Sequence, residues 1–218
     1  MNSKEKTLNR LHKPEIVKSI ASLPEINDSN VFADYPSAEN LLDIFTQKFK
    51  SLSGELILVS DLKEAGKSIN NLISQSNNKK CITHSSSLID TLLEQNQSIS
   101  SFFDKSDSKN LNSKTFSEYE IGLTATDYLV ARTGSIVLRS LSAGGRRLSI
   151  LPPTHIVLAE RKQMVFSLDQ ILKSQELYLN TGSFATIITG PSRTSDIEKQ
   201  LVLGAHGPKR LILIMVNK

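Results

Sequence analysis

Short apolar runs that alternate with helical stretches constrain this chain more than any other feature. Glu55-Leu-Ile-Leu-Val59 is continuous and apolar, as a strand buried on both faces should be. A helical stretch from about Asp61 to Gln75 follows it. Lys80-Cys-Ile-Thr83 predicts a second strand, and Ser87 to Glu94 a second helix. Strand, helix, strand, helix with short connections predicts a parallel sheet with helical crossovers. A helix precedes them: Leu41, Leu42, Ile44, Phe45 and Phe49 share one face, with Ser37 placed to cap it.

The second half is richer in strands and turns. Asp127–Ala131, Ser135–Ser140, Ile156–Ala159, Val165–Phe166, Phe184–Thr189 and Leu211–Val216 read as strands, and Leu168–Gln175 as a short helix. Gly144-Gly145 is a turn signal. The short strand-to-strand connections predict an antiparallel portion. The expected fold class is α/β, a mixed, largely parallel sheet flanked by helices. Residues 1–35, broken by Pro14 and Pro24, read as an N-terminal arm, with Leu11, Ile16, Val17 and Ile20 able to form a short amphipathic helix. The domain then covers 36–218. Within it, residues 95–117 are rich in Ser, Asn, Lys and Asp and read as a polar loop or excursion, in which Phe102 and Phe103 could mark a short strand.

Composition excludes several functions. The 218 residues contain one cysteine, Cys81. One thiol cannot build a four-Cys zinc site, a Cys-ligated iron–sulfur cluster or an internal disulfide. A reducing, cytoplasmic setting is therefore the expectation. The longest apolar run, Leu211–Val216, is strand length and too short to span a membrane. Net charge is +4, and its excess lies in the second half. Residues 1–110 carry 13 basic and 14 acidic side chains, whereas residues 111–218 carry 13 and 8. Aromatic residues make up only 6% of the chain and no nucleic-acid motif occurs, so a local anion pocket or an acidic partner explains the asymmetry better than nucleic acid.

Four stretches could carry chemistry. In Ile188-Thr-Gly-Pro-Ser-Arg-Thr-Ser-Asp-Ile-Glu198 a strand runs into a turn and a hydroxyl cluster, and a short helix is expected to start near Ser195 or Asp196. Gly190, Ser192, Arg193, Thr194 and Asp196 could then hold an anion at that helix start. A bland reading makes Thr194 or Ser195 a plain helix cap. In Ala131-Arg-Thr-Gly-Ser135, Arg132, Thr133 and Gly134 could approach a ligand, although a hairpin turn is the simpler account of them. Leu151-Pro-Pro-Thr-His155 brings His155 into a strand from a rigid approach, where it is an acid/base candidate or a structural histidine. Gly204-Ala-His-Gly-Pro208 holds His206 in a loop before the last strand. No spacing demands a metal, and no phosphate-loop, nucleotide-binding glycine or nucleophile-elbow motif occurs. Cys81, inside an apolar run, reads as a core thiol.

Taken in order, these motifs match a known family. Gly122-Leu-Thr-Ala-Thr-Asp127, Ala131-Arg-Thr-Gly-Ser135, Leu151-Pro-Pro-Thr-His155, Thr189–Glu198 and Leu203-Gly-Ala-His-Gly-Pro208 together resemble the LUD-domain family, and within it the LutC type. The resemblance is dense over residues 119–218 and weaker over 36–118. It implies a fold similar to that of CoA transferases and sugar-phosphate isomerases. It also implies a part in oxidising L-lactate to pyruvate with two iron–sulfur partners, a CCG-domain protein and a ferredoxin-like one. On that reading the clusters sit on the partners, and this chain binds no cofactor of its own. Many members carry Glu where this chain has Arg132, so a glutamate-based acyl transfer there is not expected. Arg132 could instead hold a carboxylate. The alternative is a protein acting alone on a small anion: a carboxylate, a phosphate or a CoA-type ligand.

Overall fold

The alternation read from the sequence is present, and in the expected places. The computed structural model describes residues 36–105, 116, 118–139, 147–173, 185–197, 200–203 and 207–217. The arm helix, Gly144-Gly145, Arg146 and His206 lie outside the described residues. Helix α1 (Ala38–Ser51) leads into strand β1 (Glu55–Val59), followed by α2 (Leu62–Ser74), β2 (Cys81–Thr83), α3 (Ser87–Gln95), α4 (Gln97–Ser100) and β3 (Phe103–Lys105). The second half contains β4 (Ile121–Ala125), β5 (Tyr128–Val130), β6 (Ser135–Arg139), α5 (Arg147–Ile150), β7 (Thr154–Glu160), β8 (Met164–Val165) and α6 (Leu168–Lys173). Strands β9 (Ala185–Ile188), β10 (Arg193–Ile197), β11 (Gln200–Leu203) and β12 (Arg210–Val216) complete the series.

Local chemistry sets the helix starts. The Asp61 carboxylate accepts from Glu64 N–H at 2.8 Å, and the Ser86 hydroxyl from Ile89 N–H at 3.3 Å. Ser37 occupies the cap position of α1 but makes no side-chain cap bond.

The main sheet has the order β1-β12-β7-β4-β2-β3, and every pairing in it is parallel. The antiparallel pairings lie in separate sheets: β8-β5-β6-β9, where β5–β6 and β6–β9 are antiparallel and β5–β8 is parallel, and the β10–β11 hairpin. Residues alternate between two cores. Ile156, Leu158, Ile212, Ile214 and Val216 pack with α2, α3 and α4 through Ile69, Ile73, Ile89, Leu92 and Ile99. Val157, Ala159, Leu211, Leu213 and Met215 pack on the other face with Phe45 and Phe49 of α1 and Leu129, Ile136 and Leu138 of the second sheet. Phe45 and Phe49 stack with ring centroids 5.3 Å apart. The polar segment expected over 95–117 contains α4 and β3 before it leaves the described residues. Among the described residues, no helix is long and apolar enough to cross a membrane.

Strand β4 was read only as a motif, because its two faces differ. Ile121, Leu123 and Ala125 enter the core, whereas Gly122 and Thr124 face the other way. A Cβ on Gly122 would sit 2.3 Å from the Leu148 carbonyl oxygen and 3.0 Å from Pro152 Cγ. The absent side chain lets α5 close on the sheet. Gly122→Ala should therefore destabilise the fold by about 1–3 kcal/mol through overpacking. Urea unfolding measures this, and an unchanged midpoint would refute the close approach.

Candidate functional site

The motif loops meet at the end of α1. The β5–β6 turn, Ala131–Gly134, is the hairpin turn weighed from the sequence, with Gly134 at φ +62°. A Cβ there would stand 2.7 Å from Phe49 N and 2.9 Å from the Lys48 carbonyl carbon. Gly190, at φ +92°, approaches the Leu52 carbonyl oxygen in the same way, at 2.8 Å for an added Cβ. Both glycines thus serve close backbone packing on one helix terminus. Between the two turns Ser135 Oγ donates to Thr133 Oγ1 at 2.7 Å and lies 2.8 Å from Thr189 Oγ1. Thr133 and Thr189 are exposed and Ser135 is buried.

The guanidinium of Arg193 donates to the Leu52 carbonyl oxygen, just past the last turn of α1. A cation at a helix C-terminus satisfies an orphan carbonyl and complements the helix dipole. Arg132 is exposed, and its backbone N–H donates to Phe166 O at 2.8 Å. Ser192 N–H donates to Pro208 O at 2.9 Å.

One expectation is corrected. The helix expected near Ser195 or Asp196 is not formed. Arg193–Ile197 is a strand, paired antiparallel with Gln200–Leu203, and its register shifts between Thr194 and Ile197. The backbone amides of this stretch are arranged for a ladder, so no helix N-terminus stands there to receive an anion. The side chains of Thr194 and Asp196 lie outside the described residues.

His155 does not join this corner. It is fully buried in β7, opposite Gly122 of β4 and Leu211 of β12. Its Nε2 lies 2.8 Å from Thr124 Oγ1, and among the described residues its Nδ1 has no hydrogen-bond partner. Burial, with a smaller contribution from nearby His84, lowers its pKa to about 3, so the ring is neutral.

None of the sequence motifs contains His84. It follows β2 and is 3% exposed. Ala125 N–H can only donate, so Nε2 of His84 accepts it, at 3.3 Å. The proton then sits on Nδ1, which donates to Ser85 O at 3.2 Å. Burial holds its pKa below the usual histidine value, against the raising effect of Ser85, Asp127 and Asp90. Asp127 in turn accepts from both N and Nε of Arg139 at 2.8 Å.

The position of His84 has a topological meaning. The chain leaves β2 toward α3 on one face of the sheet and leaves β4 toward β5 on the other. Adjacent strand ends whose connections part in this way mark the edge at which open α/β sheets bind ligands. His84 stands between those two ends, and Ser85 and Ser87, both exposed, continue from it. Strand order decides this placement, and no local motif carries it.

A family comparison fits both the fold and the motif loops. The LUD domain matches residues 42–216, from α1 to the end of β12. The chain belongs to the LUD-domain family. Its fold is similar to that of a DUF162 family protein from Deinococcus radiodurans, with a TM-score of 0.64 and 20% identity over 84% of this chain and 99% of that one. It is 36% identical over 102 residues to lactate utilization protein C of Halalkalibacterium halodurans, covering 45% of this chain and 44% of that protein. It is 33% identical over 112 residues to lactate utilization protein C of Bacillus subtilis, covering 49% and 46%. The matched segment spans less than half the length of each of these two relatives.

The histidine pair predicts a pH dependence with a definite sign. In the unfolded chain a histidine takes up a proton as pH falls through about 6.5, whereas folded His155 stays neutral down to about 3. The stabilisation is complete above the unfolded value and is lost progressively as pH falls toward 3. His84 acts in the same direction. Stability measured by urea should drop between pH 7.5 and 4.5. The double variant His155→Leu/Thr124→Val, which removes both hydrogen-bonding partners, should flatten that slope. An unchanged slope would refute the assignment.

Proposed function

We propose that this chain is a LutC-type subunit in the oxidation of L-lactate to pyruvate, acting with iron–sulfur partner proteins. The observation that carries the reading is the LUD-domain match over 42–216, joined to relatives named lactate utilization protein C. The chemistry of Cys81 supports a division of labour. It is fully buried in β2, and burial, with Asp104 and Glu120 adding to it, pushes its thiol up to about 12. A thiol held protonated in this way is a poor cluster ligand. The proposal therefore places the clusters on CCG-domain and ferredoxin-like partners in the cytoplasm. The strand-end segment after His84, with exposed Ser85 and Ser87, is the part of this chain offered to a small carboxylate.

The test is a reconstitution. Co-purification should recover the iron–sulfur proteins with this chain, and lactate-dependent reduction of an electron acceptor should fall at least severalfold when the chain is omitted. Full activity without the chain, together with normal growth on lactate after its deletion, would overturn the reading.

A second reading is favoured by the corner at the end of α1, where Thr133, Ser135, Thr189 and Arg193 converge beside Arg132 and Ser192. There the chain would bind a small anion by itself. Calorimetry against lactate, pyruvate, sugar phosphates and CoA esters tests it. Binding should weaken about tenfold in Thr133→Val/Thr189→Val, which removes two exposed hydroxyls. Flat heats against all four ligand classes would remove this reading.

A further inference from the structure

We propose that two copies of this chain pair through the outer edge of β1, in antiparallel register about Ile57. The two edges of the main sheet differ in kind. On one side β3 is three residues long, and Asp104 and Lys105 are exposed on it, a charged and short edge of the sort that resists pairing. On the other side β1 is five residues, Glu-Leu-Ile-Leu-Val, with no lysine or proline. Leu58 is 51% exposed, and Leu56 and Ile57 are half-buried. Among the described residues the only strand paired with β1 is β12.

The hydrogen-bond pattern shows which groups of β1 are open. Val59 O accepts from Asn217 N–H at 2.9 Å, so the main-chain groups of Val59 point toward β12. Successive residues alternate in that direction, so those of Ile57 and Glu55 point the same way. The outward row is therefore Gly54, Leu56, Leu58 and Ser60. Its ends are already closed: Gly54 N–H donates to Phe49 O at 2.9 Å, and Ser60 N–H donates to the Glu64 carboxylate at 2.7 Å. Among the described residues, the N–H and C=O groups of Leu56 and Leu58 remain open between them.

That pattern is self-complementary. Antiparallel pairing about Ile57 sets Leu56 opposite the partner's Leu58, and Leu58 opposite the partner's Leu56. Each pair exchanges two N–H···O bonds, as hydrogen-bonded antiparallel pairs do, and all the open groups of both strands are satisfied. Ile57 then meets the partner's Ile57 on one face, and the leucines pack against each other on the opposite face. Any other antiparallel register leaves an outward group of Leu56 or Leu58 facing a closed position.

The short open row between two closed ends is matched in length and spacing by β1 itself. The occupant is thus a second copy of this chain, and the union is an isologous two-fold contact.

Sedimentation of the full chain, together with residue-resolved amide exchange, tests this. At about 50 µM the chain should sediment with twice its own mass. The Leu56 and Leu58 amides should exchange more slowly as concentration rises. The Ile57 amide, bonded to β12, should be protected at every concentration and serves as the internal reference. Leu58→Lys should raise the dimer dissociation constant about tenfold or more, and the wild-type exchange pattern decides the matter even if that variant folds poorly. A monomer throughout that range, or a dimer in which the Leu56 and Leu58 amides exchange as freely as in the monomer, would overturn the proposal.

Discussion

Everything in the fold leans on the two flanks of β12. This strand carries seven residues, six of them buried, and pairs in parallel with β1 on one side and β7 on the other. Its partners lie about 50 and 150 residues earlier in the sequence, so the sheet joins segments that no local preference could bring together. One side of β12 supplies Ile212, Ile214 and Val216 to the helical core, and the other supplies Leu211, Leu213 and Met215 to the core shared with the second sheet. Both cores therefore depend on one strand being in register. A slip of one residue would exchange its two faces, and both faces are apolar, so alternation alone does not fix the register. The ends fix it instead. The Arg210 guanidinium donates to both Glu55 carboxylate oxygens at 2.8 Å, Arg210 and Lys209 N–H donate to Pro153 O, and Asn217 N–H donates to Val59 O.

Segments whose pattern is strong were legible in the sequence. Strands β1, β2 and β12 are uniform apolar runs, and α2 and α3 carry both a capping residue and an apolar face. Their placement follows from residue chemistry within the segment. Strand β4 was harder, because Gly122 and Thr124 occupy the face that meets α5 and His155, and there backbone packing and a hydrogen bond replace apolar contact. The β10–β11 hairpin was misread for a related reason. Ser, Thr and Asp after a Gly-Pro turn suit a helix start and a hairpin alike, and the pairing with Gln200–Leu203 that decides between them is not a local property.

The candidate site divides in the same way. The turn at Gly134 and the loop at Gly190 were visible as motifs, but their meeting at the end of α1 is tertiary, and it changes what the residues do. Each glycine is required by a neighbouring backbone, and Arg193 closes a helix end. What sequence motifs mark most clearly here is close packing. His84 shows the converse. It belongs to no motif, yet strand order sets it at the parting of two connections.

Two buried imidazoles on one face of a sheet are an expensive choice for a core. Each loses hydration, and among the described residues His155 Nδ1 has no partner. A Leu at position 155 would fit the neighbouring pattern of Leu211 and Val157 and avoid that cost. Retaining the ring keeps Thr124 bonded from within the sheet, and Thr124 lies between His155 and the strand end where His84 accepts Ala125 N–H. A hydrogen-bonded face thus runs from the interior of β7 to the carboxyl edge of β4, flanked by Ile82 and Leu148 of a small apolar cluster. Burial keeps both rings neutral, so this face holds no fixed positive charge. The exposed Arg132 and Arg193 lie at the end of α1 instead. The buried neutral histidines and the exposed cations therefore lie apart, and the two readings of the chain's function divide along that line.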